Sequence, residues 1–151
     1  MRVGVPREIK PDEYRIGLTP GAVREYVTHG HEVYVEKGGG EGAGYTDAHY
    51  ERVGAKILPD AAAVFETAEM IVKVKEPQAV EWARLTEKHI LFTYLHLAPD
   101  PAQTDGLLKS GFRGFAAVDR HQNALVHLRS RFREGEEKNA STEKYSNQAH
   151  P

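Results

Sequence analysis

Residues 69–94 decide the fold of this chain, and they read EMIVKVKEPQAVEWARLTEKHILFTY. The run from Glu69 to Val74 predicts a strand, Val80 to Leu85 predicts a helix, and His89 to Tyr94 predicts a second strand. Two strands joined by a helical crossover lie parallel in one sheet. This unit therefore predicts an α/β fold built on a parallel sheet.

The same alternation of strand-like and helix-like runs continues on both sides of this unit. Further strands are predicted at residues 2–5, 31–36, 55–58 and 112–118, and further helices at residues 21–29, 47–54, 60–67 and 101–109. Thr19 before Pro20 is typical of a helix start, and Gly30 of a helix end. The sequence therefore predicts one doubly wound, mainly parallel sheet with helices on both faces, of the Rossmann or flavodoxin-like type.

Composition and charge exclude several classes of protein. The 151 residues carry 20 Lys and Arg against 22 Asp and Glu, which argues against a nucleic-acid partner. The absence of cysteine excludes disulfides, thiolate nucleophiles and zinc–thiolate sites, and the acidic pairs show no metal-ligand pattern. The most apolar stretch, 90–98, is about half of a membrane span. We expect a cytoplasmic domain with no metal site and no membrane partner.

The character of the chain changes near residue 119. The sequence predicts a domain over 1–118 and a divergent, charged, partly helical tail over 119–151. Leu125, Leu128 and Phe132 stand at helical spacing, which predicts an amphipathic helix over residues 123–138 and a frayed end beyond it.

Arg15 lies between the first predicted strand and the first predicted helix. Ligands of parallel sheets bind beyond the carboxyl ends of the strands, so residues at this position are candidates for a site. A guanidinium there either holds a ligand carboxylate by two parallel hydrogen bonds or forms a surface pair with Glu13 or Asp12.

Lys75 and His96 follow two other predicted strands. Lys73 and Lys75 point to the same side of an extended chain, so Lys75 either faces a ligand or protects an edge strand by its charge. An imidazole titrates near neutral pH, so His96 is either an acid/base group or an ordinary half-buried histidine.

A glycine-rich stretch occupies residues 38–44, and its G-x-G-x-x-A pattern formally matches a dinucleotide fingerprint. In such a site the helix opens within the motif, whereas here the helix cap comes later, at Thr46. Glu36 and Glu41 would also repel a phosphate. The context favours a flexible structural loop over a phosphate cradle and leaves the cofactor-binding residues unknown.

Five stretches together closely resemble the N-terminal domain of bacterial alanine dehydrogenase. They are residues 2–10, 15–21, 30–33, 72–77 and 91–98, and the resemblance covers about residues 1–116. The same domain occurs in the proton-pumping transhydrogenase and in saccharopine dehydrogenases, which share the arginine and Lys-Glu-Pro motifs. The stretch from Phe92 to Ala98 points to the alanine enzyme in particular.

The resemblance implies NAD-dependent interconversion of L-alanine with pyruvate and ammonia. It implies that Arg15 binds the substrate carboxylate and that Lys75 hydrogen-bonds the carboxylate or the carbonyl. It also implies that His96 is the acid/base partner in imine formation and hydrolysis. Two cations and a proton donor complement a carboxylate beside a polarisable carbonyl.

Family members are more than twice this length, and their dinucleotide-binding domain and returning C-terminal segment have no counterpart here. The family's catalytic aspartate lies in that second domain, so no residue of this chain is assigned to it. The abrupt end of the resemblance predicts a truncated alanine dehydrogenase, by frameshift or early stop. An apolar patch left uncovered by these segments predicts a two-fold homodimer formed through the tail.

Three functions stay open for such a chain. The first is a truncated dehydrogenase that retains the substrate half-site. The second is a non-catalytic module that binds 2-oxo or amino acids. The third is a degenerate product whose fold survives without function.

Overall fold

A seven-stranded sheet forms the centre of the molecule, in the strand order β3-β2-β1-β4-β5-β6-β7. The structure, a computed structural model, describes residues 1–95, 100–116 and 126–129. The strands are β1 (Arg2–Val5), β2 (Glu32–Glu36), β3 (Lys56–Leu58), β4 (Met70–Val72), β5 (Ile90–Thr93), β6 (Arg113–Ala116) and β7 (Val126–Arg129). The helices are α1 (Pro20–Thr28), α2 (Asp47–Glu51), α3 (Ala61–Thr67), α4 (Ala79–Trp82) and α5 (Pro101–Ser110).

Strands β1 to β6 run parallel, and β7 is antiparallel to β6. Successive residues of a strand point to opposite sides, so both faces of the sheet carry apolar side chains, and helices cover both faces. Val23 of α1 and Tyr50 of α2 pack on one face with Val72, and Phe65 of α3 and Leu107 of α5 lie in the second core cluster. The predicted doubly wound α/β fold is therefore confirmed.

Local capping signals explain where the longer helices begin. The Thr19 hydroxyl accepts a hydrogen bond from the Ala22 amide at 3.3 Å, directly before Pro20. The Asp60 carboxylate accepts one from the Ala63 amide at 2.9 Å. Each of these bonds satisfies an amide that the first turn of a helix leaves without a partner.

The order of the strands reverses between β1 and β4. The chain passes from β1 outward to β2 and β3, returns through α3 to β4 on the other side of β1, and continues outward to β5 and β6. The connections that leave β1 and β4 therefore begin side by side at the carboxyl edge of the sheet. In doubly wound folds this switch point is where ligands bind.

Strand β4 is shorter than the predicted strand over Glu69–Val74. The Lys73 amide still donates to the Phe92 carbonyl at 3.0 Å, but the Val74 amide donates to the Glu8 carboxylate at 2.6 Å. The Val74 amide thus has a side chain from the β1–α1 connection as its partner instead of a neighbouring strand, and β4 ends at Val72. Lys73 and Lys75 thus lie beyond the strand, so the rule that placed both side chains on the same side of an extended chain does not apply to them.

The helix predicted over residues 123–138 is wrong for the four of its residues that the structure describes. Val126–Arg129 form β7, paired with β6 in the register Ala116 to Val126 and Arg113 to Arg129. Val126 and Leu128 alternate with His127 and Arg129, a pattern that suits a strand as well as a helix over so few residues. Hydrogen bonding of this segment to the free edge of β6 explains why it forms a strand.

Candidate functional site

The connection from β1 to α1 lies directly on the carboxyl end of β4. A Cβ atom on Gly17 would stand 2.4 Å from the Val72 carbonyl oxygen and 3.1 Å from the Lys73 amide nitrogen. Only a glycine allows the two backbones to come this close. Arg15, two residues earlier, is thereby placed beside the segment that carries Lys75.

Arg15 forms a two-pronged ion pair with Glu13. Its Nε donates to Oε1 at 2.8 Å and its Nη2 donates to Oε2 at 2.6 Å, while the Arg15 amide also donates to Oε1 at 2.9 Å. These hydrogen bonds lower the pKa of Glu13 to about 2. The surface pair considered for Arg15 is therefore present.

The pair leaves half of the guanidinium free. Glu13 takes the side edge of the group, Nε and Nη2, and the outer edge that contains Nη1 has no hydrogen-bond partner among the described residues. Arg15 exposes 65% of its side-chain surface, whereas Glu13 exposes 5%. Glu13 therefore acts as a buried support that fixes the guanidinium plane, and the outer edge remains able to take a second carboxylate.

Lys75 follows a central strand of the sheet and not an edge strand. Strand β4 has β1 on one side and β5 on the other, so a role in protecting a free edge does not apply. The Lys75 carbonyl accepts a hydrogen bond from the Thr93 hydroxyl at 2.8 Å. The positive charge of Lys75 contributes to the lowered pKa of Glu13, so the two side chains lie within electrostatic reach.

His96 lies outside the described residues, as do the three residues after it. The described chain before it ends at Tyr94 and Leu95, just beyond β5. Tyr94 is half exposed, and it is among the groups whose interaction raises the pKa of Arg15. The predicted role of His96 stays a prediction.

The sequence did not predict that three charged residues, Lys73, Glu8 and Glu81, are buried together. The Lys73 ammonium lies 2.7 Å from Glu81 Oε1 and 3.3 Å from Glu8 Oε2. Lys73 and Glu8 expose 1% of their side chains, and Glu81 exposes 3%. Burial raises the pKa of the Glu8 carboxyl, and the positive charge of Lys73 opposes this rise. One ammonium thus faces two carboxylates inside the domain.

The one sequence signal for this cluster is the position of Glu8 and Lys73 a few residues after strands that read as buried. That signal does not distinguish a buried charge from a solvated one. For Glu81 the only sequence signal is its position three residues after Gln78, which suits a helix cap. In the structure its carboxylate accepts a hydrogen bond from the Gln78 amide at 2.7 Å at the start of α4.

The glycine-rich loop 38–44 does not fit a dinucleotide. The Gly38 amide already donates to the Asp47 carboxylate at 2.8 Å, and α2 has only five residues. A Cβ on Gly40 would lie 2.6 Å from the Tyr50 ring, and one on Gly42 would lie 2.8 Å from the Tyr14 carbonyl oxygen. Gly40 and Gly42 therefore serve close packing against Tyr50 and Tyr14, and the loop forms no phosphate cradle.

Within the described part of the chain, no group of three or more His, Asp or Glu side chains is arranged to hold a metal ion. No described helix combines the length and the apolar character needed to cross a membrane.

Comparison with known proteins gives one family. A family model described as "Alanine dehydrogenase/PNT, N-terminal domain" matches residues 4–130. Alanine dehydrogenase from Halomonas elongata is 53% identical over 111 residues, which are 74% of this chain and 30% of that protein. Alanine dehydrogenase from Methanococcus maripaludis is 52% identical over 116 residues, which are 77% of this chain and 31% of that protein. The chain thus spans about a third of the length of these relatives.

Solved structures give the same result. An L-alanine dehydrogenase structure superposes with a TM-score of 0.74 at 43% identity, covering 77% of this chain and 32% of that one. The transhydrogenase from Sinorhizobium meliloti superposes with a TM-score of 0.71 at 27% identity, covering 77% of this chain and 34% of that one. The resemblance stated from the sequence is confirmed, and the family model extends beyond its expected limit near residue 116.

Proposed function

Since the chain belongs to the alanine dehydrogenase/PNT N-terminal domain family, we propose that it is the substrate-binding part of an alanine dehydrogenase, with pyruvate and L-alanine as ligands. The observation that carries this proposal is the free outer edge of Arg15, which the close contact at Gly17 sets beside the segment of Lys75 at the switch point of the sheet. Both cations belong to connections where doubly wound folds bind ligands.

In this proposal Arg15 takes the ligand carboxylate through two parallel hydrogen bonds from its outer edge. The Lys75 ammonium donates to the carboxylate or to the neighbouring carbonyl oxygen and so polarises the carbonyl. His96 is assigned, by family resemblance, the transfer of a proton during imine formation and hydrolysis. Glu13 holds Arg15 in place while this happens.

NAD is the cofactor that the family implies, and it would accept the hydride from alanine. The glycine-rich loop does not fit it, since the loop is closed by Asp47 and by packing. We therefore assign no step of hydride transfer to this chain. A role in binding 2-oxo or amino acids without catalysis is the second candidate function, because Arg15 and Lys75 complement a carboxylate whether or not a cofactor is bound.

Calorimetric titration of the purified chain with pyruvate, L-alanine and NADH separates these functions. Binding of pyruvate without binding of NADH is the expected result. Saturable binding of NADH would show that the chain holds a dinucleotide site elsewhere. Absence of binding for all three ligands would contradict the proposal and favour a degenerate product.

Replacing Arg15 by alanine is expected to weaken pyruvate binding about 30-fold, corresponding to about 2 kcal/mol for a lost charge-assisted pair. Arg15→Lys keeps the charge but loses the two-pronged geometry, so it should recover only part of the affinity. Arg52→Ala is the control, because Arg52 is exposed and bonds only to its own helix. Equal affinities for Arg15→Ala and the native chain would show that Arg15 binds no ligand.

We also propose that the protein is a cytoplasmic homodimer. The tail remains the expected contact, although its described part, β7, is a strand and not the helix on which the expectation was based. Size exclusion with light scattering should give twice the 16.9 kDa of one chain. A peak at the mass of a single chain would refute the dimer.

A further inference from the structure

Lys75 lies in a segment without regular secondary structure. Strand β4 ends at Val72 and α4 begins at Ala79, so the placement of Lys75 depends on individual bonds and not on a helix or a strand. On its carbonyl side the Thr93 hydroxyl holds the Lys75 oxygen at 2.8 Å. On its amino side the neighbouring Val74 amide donates to Glu8 Oε1 at 2.6 Å.

The bond from Val74 to Glu8 joins the two segments that carry the candidate site. Glu8 belongs to the connection from β1 to α1, which also carries Arg15, and it lies 66 residues from Val74 in sequence. The charge of Glu8 also contributes to the raised pKa of Arg15, so the carboxylate lies within electrostatic reach of both halves of the site. Movement of Glu8 would therefore change the separation of Arg15 and Lys75.

Glu8 is itself held in place by the buried ammonium of Lys73. Lys73 stands between Glu8 and Glu81, and Glu81 is anchored to the start of α4 through the Gln78 amide at 2.7 Å. Burying two carboxylates with one ammonium is costlier than burying apolar side chains of the same size. Apolar side chains would fill the same space, but they would offer no acceptor to Val74. The cluster is therefore better explained by placement of the backbone than by stability.

We propose that Glu8 is a positioning residue, which fixes Lys75 relative to Arg15 by accepting the Val74 amide. The inference rests on the proposed function, because Lys75 and Arg15 are ligand-binding residues only there. Glu8 itself does not contact the ligand. Its effect on binding passes through the backbone of Val74 and Lys75.

Two replacements of similar size separate the acceptor of Glu8 from its charge. Glu8→Gln keeps an oxygen that can accept the Val74 amide, whereas Glu8→Met fills the same space without an acceptor. Both remove the negative charge. Glu69→Ala is the matched control, because it removes a carboxylate that accepts the Arg2 amide at 2.7 Å at the opposite edge of the sheet.

The first measurement is hydrogen exchange of the Val74 amide by NMR, without ligand. Slow exchange is expected in the native chain and in Glu8→Gln, with at least tenfold faster exchange in Glu8→Met. Glu69→Ala should leave the Val74 amide unchanged. Exchange of the Val74 amide in the native chain at the rate of an unstructured amide would overturn the proposal, even if Glu8→Met fails to fold.

The second measurement is the affinity for pyruvate. Glu8→Gln and Glu69→Ala should bind within threefold of the native chain, and Glu8→Met should bind at least tenfold more weakly. Native affinity in Glu8→Met would overturn the positioning role while leaving the proposed function intact. If the native chain does not bind pyruvate, the proposed function fails, and with it the role of Glu8 at a binding site, whereas slow Val74 exchange would still establish the bond.

Discussion

Replacement of Lys73 by methionine is expected to destabilise the fold by about 3–5 kcal/mol, because it leaves two buried carboxylates without their ammonium. Glu8 and Glu81 lie 3.3 Å and 2.7 Å from Lys73 Nζ and are almost fully buried. Methionine matches the length of the lysine stem and fills its space, so little of the loss would come from packing. Urea unfolding of the native chain and of the variant measures the difference.

The loss should depend on pH. Burial already raises the pKa of Glu8 above its ordinary value of 4.5, and Lys73 limits that rise. A carboxyl whose pKa is higher in the folded state binds a proton more tightly there, so stability falls as the pH rises through the folded pKa. Without Lys73 the pKa of Glu8 rises further. The variant should therefore recover stability on acidification toward pH 5 and be least stable at pH 8.

The control for this prediction is Lys56→Met. Lys56 pairs with Glu32 at 2.6 Å, but both side chains are more than half exposed, so the pair contributes little. A loss within about 0.5 kcal/mol is expected. If Lys73→Met were no less stable than Lys56→Met, the buried cluster would not hold the charges as the structure shows.

The fold could be predicted from the sequence because its signals are local. Residues 69–94 show a strand, a helix and a strand within one short stretch, and Thr19 and Asp60 mark helix starts through bonds to residues three positions away. Parallel pairing then follows from the crossovers. The placement of Arg15 and Lys75 at one edge of the sheet follows from the same rule, without any knowledge of contacts.

The buried cluster could not be predicted, because its bonds connect distant parts of the chain. Glu8 meets Val74 across 66 residues, and a charged residue read alone is most often exposed. The helix prediction at Val126–Arg129 failed for a related reason. Pairing with β6 decides the conformation of this segment, whereas the spacing of Leu125, Leu128 and Phe132 is a local signal. The division of the chain at residues 118 and 119 stays a prediction.

Replacement of Gly17 by alanine is expected to destabilise the fold by about 3 kcal/mol, through forced separation of two backbone segments. The added Cβ would lie 2.4 Å from the Val72 carbonyl oxygen and 2.8 Å from its carbonyl carbon. Both atoms belong to the backbone at the end of β4, so no side-chain rotation relieves the contact. The connection that carries Arg15 must move outward instead.

Gly21→Ala provides the matched control for this replacement. Gly21 lies in the first turn of α1, and the nearest atom to an added Cβ would be the Thr19 hydroxyl oxygen at 3.9 Å. Alanine there should stabilise the protein by about 0.5–1 kcal/mol through its helix propensity. Urea unfolding should therefore shift in opposite directions for the two glycine variants. Equal midpoints would show that the connection and β4 do not touch as described.

The Gly17 variant also tests how the site is assembled. Outward movement of the connection carries Arg15 away from Lys75, so the ligand can no longer keep its hydrogen bonds to both cations. Pyruvate binding should therefore weaken at least tenfold in Gly17→Ala under conditions where the variant is fully folded. Gly21→Ala should bind normally. A folded Gly17→Ala variant with native affinity would mean that the two cations do not need their close spacing, and that the contact at Gly17 serves stability alone.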